Sequence, residues 1–233
     1  MAKTIFGRLI DTKRCMGCRS CIAACAVENH FTPDAQWNAM IEYEVGTYPE
    51  VHAIYNTMNC MHCEKPSCKA ICDKIGVKAI SKNEYGVVLI DYKKCIGCGY
   101  CASVCPYGVP QINEAALKPL YPGKGKNGME TIVYADRHPL HQKKPKTAEK
   151  CTFCWHKLEK AIKDGKADRI GKDQEYTPAC DLVCPTQARW FGNIADPKSE
   201  ISMRIKATGA VQLKTHFGNA PQVYYTLDKG AKS

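Results

Sequence analysis

Two apolar runs, VKAIS at 77–81 and VVLID at 87–91, flank the polar turn KNEYG and read as a β-hairpin. TIFGRLID at 4–11 and ARWFG at 188–192 form a counterpart whose strands meet in space although they lie at opposite ends of the sequence. Short helices are expected in CIAACAVENH and CASVCPYG, and a longer basic one over WHKLEKAIKDGKADRI, 155–170. The tail offers a helical pattern at 199–207 and a strand at VYYTL, 223–227. Segment 111–150 is polar and rich in Pro, Gly and Lys, and reads as a long connection with a strand at Thr131–Ala135. No run of about 18 apolar residues occurs, so no membrane span is expected. The start, MAKTIFGRLIDTKRC, lacks the apolar core of a signal peptide and a twin arginine, which places synthesis in a reducing compartment.

One stretch occurs twice. LIDTKRCMGCRSCIAAC at 9–25 returns as LIDYKKCIGCGYCASVC at 89–105, with Leu, Ile, Asp, Lys and Gly in register with four cysteines. A repeat of this kind is a repeated structural unit. The 233 residues hold 16 cysteines, and in a reducing compartment clustered cysteines favour metal over disulfides.

Spacing narrows the metal. Cys15, Cys18, Cys21 and Cys25 follow C-x2-C-x2-C-x3-C, and Cys95, Cys98, Cys101 and Cys105 repeat it with Pro106 behind. That is the run that holds cubane iron–sulfur clusters in bacterial ferredoxins. Cys60, Cys63, Cys68 and Cys72 form a variant with a longer middle gap. The last group is split, with Cys151 and Cys154 far ahead of Cys180, Cys184 and Pro185. Four groups of four use every cysteine.

Three thiolates from one tight loop can wrap one cluster, and Gly17 and Gly97 are expected to let the backbone approach its core. The fourth cysteine opens a helix leading away and, in two-cluster ferredoxins, serves the neighbouring cluster. The expected ligand sets are therefore Cys15, Cys18, Cys21 and Cys184; Cys25, Cys151, Cys154 and Cys180; Cys60, Cys63, Cys68 and Cys105; and Cys72, Cys95, Cys98 and Cys101. The fold class is α+β: two ferredoxin-like two-cluster modules, the inner inserted into the outer, joined by long loops. The outer module takes 1–50 and 145–195 and the inner 51–110, with a connecting loop at 111–144 and a C-terminal extension at 196–233. Zinc is the alternative metal, but its sites use two C-x2-C pairs, and a third cysteine at the next x2 position suits a cubane better. The split group, with its long insertion, is where an altered ligand set would fall.

A net charge of +10 raises nucleic acid as a partner. Four oxidised clusters would contribute about −8, however, leaving the loaded protein near about +2. The basic stretch 141–172 then reads as a solvated face or a protein contact, and no nucleic-acid fold signature accompanies it. Lys13, Arg14, Arg19, Lys93 and Lys94 are expected to raise the potentials of adjacent clusters, weakly where solvent screens them. No GxGxxG, GxxxxGK[ST] or HExxH pattern occurs. His62 reads as a hydrogen-bonding neighbour of a cluster, while His30, His138, His141 and His156 read as surface or capping groups without a carboxylate partner. The chain moves electrons and is not itself catalytic.

The order of the four groups, with CMHCEKPSCKAIC at Cys60–Cys72 and CTFCWHKLEKA…PACDLVCPTQARWFGN in the fourth, resembles the iron–sulfur subunit of the complex iron–sulfur molybdoenzymes, the dimethyl sulfoxide, polysulfide, thiosulfate and arsenate reductase type. The resemblance covers about residues 5–195. Asp73 stands where proline is usual, Ala26 follows the first group, and the insertion between Cys154 and Cys180 is longer than typical. It implies a subunit that carries four [4Fe–4S] clusters and docks on a large molybdenum or tungsten bis-pterin catalytic subunit. At its far end it would meet a quinone-reactive membrane anchor, a cytochrome or another redox partner. It fits a cytoplasmic complex, or a periplasmic one reached by co-export with a signal-bearing catalytic subunit. A free-standing polyferredoxin shuttle is the alternative, and the insertions at 111–150 and 155–178 argue against it.

Overall fold

A computed structural model describes residues 3–31, 35–113 and 138–227. In chain order the regular elements are β1 (Phe6–Asp11), α1 (Ser20–Asn29), β2 (Asn38–Thr47), β3 (Glu50–Asn59), α2 (Ser67–Lys74), β4 (Ile80–Lys82), β5 (Val88–Ile90), α3 (Tyr100–Ser103), β6 (Gln111–Ile112), β7 (Ala148–Glu149), α4 (Trp155–Lys163), α5 (Ala179–Leu182), β8 (Arg189–Asn193), α6 (Glu200–Thr208), β9 (Val211–Gln212) and β10 (Val223–Thr226). Apart from α1, β2, β3, α4 and α6, the elements are short, and the cysteine loops interrupt the chain between them.

The hairpin expected around KNEYG is β4–β5, with Ile80 opposite Ile90. Its outer counterpart pairs β1 antiparallel with β8, Leu9 opposite Trp190. The tail adds two strands beyond that pair. β10 runs parallel to β1, Leu9 opposite Tyr224, and β9 closes the edge, giving the order β8-β1-β10-β9. With neighbours on both sides, β1 is buried along nearly its whole length and reads as a continuous apolar run except for Arg8.

Two further expectations are revised. The basic helix stops at Lys163, because Asp164 and Gly165 (φ +68°) turn the chain and 167–169 form only a single 3-10 turn. A ladder of ten residues per strand, β2–β3, runs from Asn38–Asn59 to Thr47–Glu50 where the motifs gave no strand. The strand expected at Thr131–Ala135 lies outside the described residues.

Apolar side chains pack around thiols. Phe6, Trp37, Met61, Phe153, Leu158, Phe191 and Tyr225 surround Cys25, Cys60, Cys63 and Cys151. A second cluster sets Ala79, Ile80, Val88 and Ile90 against Cys68, Cys72 and Cys101. The core is thus organised about the sulfurs.

Candidate metal centres

Each cysteine loop is wound by the same backbone device. The second residue after the first cysteine is left-handed in all four groups: Gly17 (φ +71°), His62 (φ +44°), Gly97 (φ +69°) and Phe153 (φ +56°). For a non-glycine residue that conformation costs roughly 1–2 kcal/mol, so His62 and Phe153 are held there by packing. Both are fully buried, and their rings stack with centroids 3.7 Å apart. His62 Nδ1 accepts the Val88 N–H at 3.0 Å, and burial lowers its pKa well below the usual range, so the ring is neutral.

Gly17 and Gly97 have a second reason to be glycine. A Cβ on Gly17 would come within 2.7 Å of the Tyr55 ring, and one on Gly97 within 1.9 Å of the Lys146 carbonyl oxygen. The close approach is to neighbouring protein as well as to anything the loop encloses. A Gly17→Ala variant should lose about 2 kcal/mol through the left-handed φ and this contact. Gly99→Ala, where φ is +78° but no atom lies within 4 Å, should lose about half as much. Thermal bleaching of the protein's colour would rank them.

The structure brings the sixteen thiols together in four groups. Cys15, Cys18, Cys21 and Cys184 line one recess, with Ile10, Met40, Thr57 and Arg189. Cys25 lies against Cys151, Cys154 and Cys180, all buried. The Cys63 thiol is affected by those of Cys60, Cys68 and Cys105. Cys72, Cys95, Cys98 and Cys101 line a second recess. Cysteines from different motifs therefore meet. Each group also adjoins the next: Arg189 lines the first recess and reaches Cys180, Cys151 acts on Cys60, and Cys68 feels Cys101.

The donor chemistry fits an anionic, thiolate-bound group. Burial, reinforced by neighbouring thiols, pushes Cys63 and Cys68 up to about 12 and Cys101 up to about 11. Burial likewise holds Cys180 at about 12 despite the lowering effect of Arg8. Left as thiols they would keep their protons; a bound metal is what makes them thiolates. Donors already point at the sulfurs: Ala79 N–H to Cys72 Sγ at 3.2 Å, Ala188 N–H to Cys184 Sγ at 3.2 Å, and Ala148 N–H to Cys95 Sγ at 3.4 Å. Asn29 Nδ2 reaches Cys25 Sγ at 3.5 Å and Cys154 Sγ at 3.6 Å. Arg8 Nη1 is buried without a hydrogen-bond partner. Among the described residues no three ligating side chains converge on a single-ion spacing. Two of the groups line recesses, and the thiols of the other two are buried except for Cys105, which is partly exposed.

The basic stretch is corrected by the same structure. Lys143 and Lys150 are core residues. Lys150 Nζ donates to the Val88 and Cys151 carbonyls beside Cys60 and Cys68, and Lys143 Nζ meets Glu149 at 3.1 Å. Much of the rest is paired on the surface, Lys160 with Asp164 and Glu175 and Arg169 with Asp173.

The reading of the four histidines as surface or capping groups holds in part: His138 caps the 139–141 turn by accepting the Leu140 N–H at 3.2 Å, and His30 is the left-handed C-cap of α1, but the rings also gather and two of them meet carboxylates. The His141 ring lies 4.6 Å from His156 and 5.7 Å from His30, and His138 lies 5.6 Å from His156. His156 Nε2 meets Glu28 at 2.6 Å, and His138 stands 3.9 Å from Glu159. Burial, with His156 and Lys143 adding to it, drives His141 down to about 3. Their partners come from separate segments, so no local spacing discloses them.

Two family models, each described as a 4Fe-4S dicluster domain, match residues 51–119 and 94–188. The chain is 32% identical to the arsenate respiratory reductase iron-sulfur subunit of Shewanella sp. (strain ANA-3), over 97% of this chain and 98% of that protein. It is 33% identical to a subunit of the selenate reductase of Mesobacillus selenatarsenatis, over 93% of this chain and 70% of that one. A subunit of the tetrathionate reductase of Salmonella typhimurium is 32% identical, over 94% and 71%. The chain belongs to the iron–sulfur subunits of the complex iron–sulfur molybdoenzymes. As a member of that family it is an electron-transfer subunit of an oxidoreductase complex and leaves bond chemistry to another chain. The iron–sulfur subunit carries [4Fe–4S] clusters on its cysteines.

Proposed function

We propose that the chain holds four [4Fe–4S] clusters in a row and relays electrons between a molybdenum or tungsten bis-pterin catalytic subunit and a second redox partner, a quinone-reactive membrane anchor or a cytochrome. The ligand sets are Cys15, Cys18, Cys21 and Cys184; Cys25, Cys151, Cys154 and Cys180; Cys60, Cys63, Cys68 and Cys105; and Cys72, Cys95, Cys98 and Cys101. The inner module, with the last two sets, is inserted into the outer one. The observation that carries this reading is the contact order of the four thiol groups, each adjoining the next. A bound cluster supplies a one-electron carrier that takes up no proton. The residues do the rest. Phe153, His62, Met61 and Phe191 exclude water between the second and third groups, and backbone N–H groups at Ala79, Ala148 and Ala188 stabilise charge on the sulfurs. Cys18 and Cys98 are exposed, one in the first group and one in the last, which suits entry and exit of electrons at opposite ends of the row. No helix among the described residues is long and apolar enough to cross a membrane. The complex works either in the cytoplasm or in the periplasm after co-export with a signal-bearing partner.

Anaerobic purification from the native source, with iron, zinc, molybdenum and tungsten measured per chain, tests the whole reading. About sixteen irons with one molybdenum or tungsten is the expected result. Sixteen irons on a chain that runs alone would make it a free shuttle, and stoichiometric zinc would remove one cluster from the row.

A further inference from the structure

Arg8, on β1, and Arg189, on β8, enter the core on the same face of the sheet, since Ile10 is the residue opposite Arg189 and lies two positions from Arg8. Both are buried, and both close on one carboxylate, Asp181. Arg8 Nε lies 2.8 Å from Oδ1 and its Nη2 2.7 Å from Oδ2, while Arg189 Nε lies 3.0 Å from Oδ1. Each guanidinium then reaches the same sulfur: Arg8 Nη2 to Cys180 Sγ at 3.3 Å, and Arg189 Nη2 at 3.6 Å. Arg189 Nη1 donates to Thr57 Oγ1, on the wall of the recess that holds Cys15, Cys18, Cys21 and Cys184. The Arg8 guanidinium also lies over the Phe153 ring at 4.8 Å, which fixes its plane.

Charge counting makes this arrangement directional. Arginine keeps its proton in proteins, so two positive charges face one negative charge. Among the described residues Asp181 is the carboxylate in ion-pair contact with either arginine. One positive charge is left in the core, where an uncompensated ion costs several kcal/mol. The thiolate-bound cluster is the counter-charge at hand, and it becomes more negative by one when an electron arrives from its neighbour. A fixed positive charge in hydrogen-bond contact with a ligand sulfur favours that reduced state.

We propose that Arg8, Asp181 and Arg189 form a buried charge device that sets the reduction potentials of the two outer-module centres. Both guanidiniums raise the potential of the centre at Cys25, Cys151, Cys154 and Cys180, and Asp181 lowers it. Arg189 also raises that of the centre at Cys15, Cys18, Cys21 and Cys184. These are positioning residues that act through the sulfurs, and the proposal rests on the four-cluster reading. The surface lysines first suggested by the sequence matter less: Lys94 has a side chain 64% exposed and pairs loosely with Asp91 at 3.7 Å.

The test is an electron paramagnetic resonance redox titration of the intact complex, with the signal assigned by its loss in Cys154→Ser. Arg8→Met should cut the reduced-to-oxidised ratio of that centre at least tenfold at fixed potential, a shift of about 59 mV for one electron. Arg8→Lys should restore most of it, and Asp181→Asn should shift the centre upward. Arg189→Gln should lower both outer-module centres, and Lys94→Glu should leave both where they were. A generally disturbed site would move every variant the same way. If Arg8→Met and Asp181→Asn shift in one direction, or neither shifts with full iron, the device does not exist. Should Arg8→Met lose its clusters, the opposed pair Arg189→Gln and Asp181→Asn decides by the same rule. Iron is measured on the same samples. A wild-type complex short of about sixteen irons would overturn the four-cluster reading instead.

Discussion

A Cys184→Ser variant should lose the centre of the first cysteine loop and retain the other three, with iron falling from about sixteen to about twelve per chain. Cys184 follows α5, at the opposite end of the sequence from Cys15, Cys18 and Cys21, yet it lines their recess. Its sulfur accepts the Ala188 N–H at 3.2 Å, so the backbone already holds it in place. Serine keeps the size but replaces a soft thiolate by a hard, weakly acidic hydroxyl that suits iron–sulfur ligation poorly. The rival arrangement has each loop ligate locally, with Cys25 completing the first centre and Cys184 the last. A double variant separates the two. Cys18→Ser with Cys184→Ser should cost no more centres than either change alone if the two share one cluster. Under local ligation the double variant would lose two centres and about eight irons. Iron analysis with a count of reduced-cluster spins reads the difference.

The parts of this architecture that were legible in the sequence are those written in local spacing. The three-cysteine runs marked loops whose thiols the fold gathers, and the repeated LID before each run marked the strands that became β1 and β5. β2–β3 was also written there. Ile41, Tyr43 and Val45 alternate with Glu42 and Glu44, the period of a strand, but the cysteine motifs on either side carried the reading past it. Other features have no local signature. β10 pairs with β1 across more than two hundred residues, and a run such as VYYTL cannot say which strand it will join or in which direction. Burial of Arg8, Arg189, Lys143 and Lys150 contradicts what their residue types suggest. It becomes possible only when the fold turns Glu149 onto Lys143 and Asp181 onto Arg189, and brings Arg8 to Asp181 and the thiol groups from the other end of the sequence. The histidines gather for the same reason, through contacts between α1, α4 and the segment before β7.

Replacing Glu149 by leucine should be the most destabilising single change outside the ligands, costing about 3–5 kcal/mol, the range for stripping one partner from a buried ion pair. Glu149 is fully buried and serves three donors: the Lys143 ammonium at 3.1 Å, Trp37 Nε1–H at 3.0 Å, and the Asn113 side-chain amide. Lys143 in turn donates to the carbonyls of Asn29 at 3.0 Å and His30 at 2.9 Å, where α1 ends. Asn29 then touches the sulfurs of Cys25 and Cys154. The carboxylate thus anchors a chain of contacts that ends on the second centre. In Glu149→Leu that centre should be the first to bleach on warming or on exposure to oxygen, ahead of the three others. Glu149→Gln, which keeps an acceptor for Trp37 but loses the charge, should fall between leucine and wild type. The double variant Glu149→Leu with Lys143→Met is the decisive one. Removing both charges of a buried pair is often close to neutral where removing one is not, so it should recover part of the loss. The orphaned Trp37 and Asn113 donors, at about 1–3 kcal/mol each, and the Asn29 and His30 carbonyls that Lys143 served would then remain to be accounted for. A double variant no more stable than Glu149→Leu would mean that Glu149 acts through those two hydrogen bonds, and that Lys143 holds the end of α1 without it.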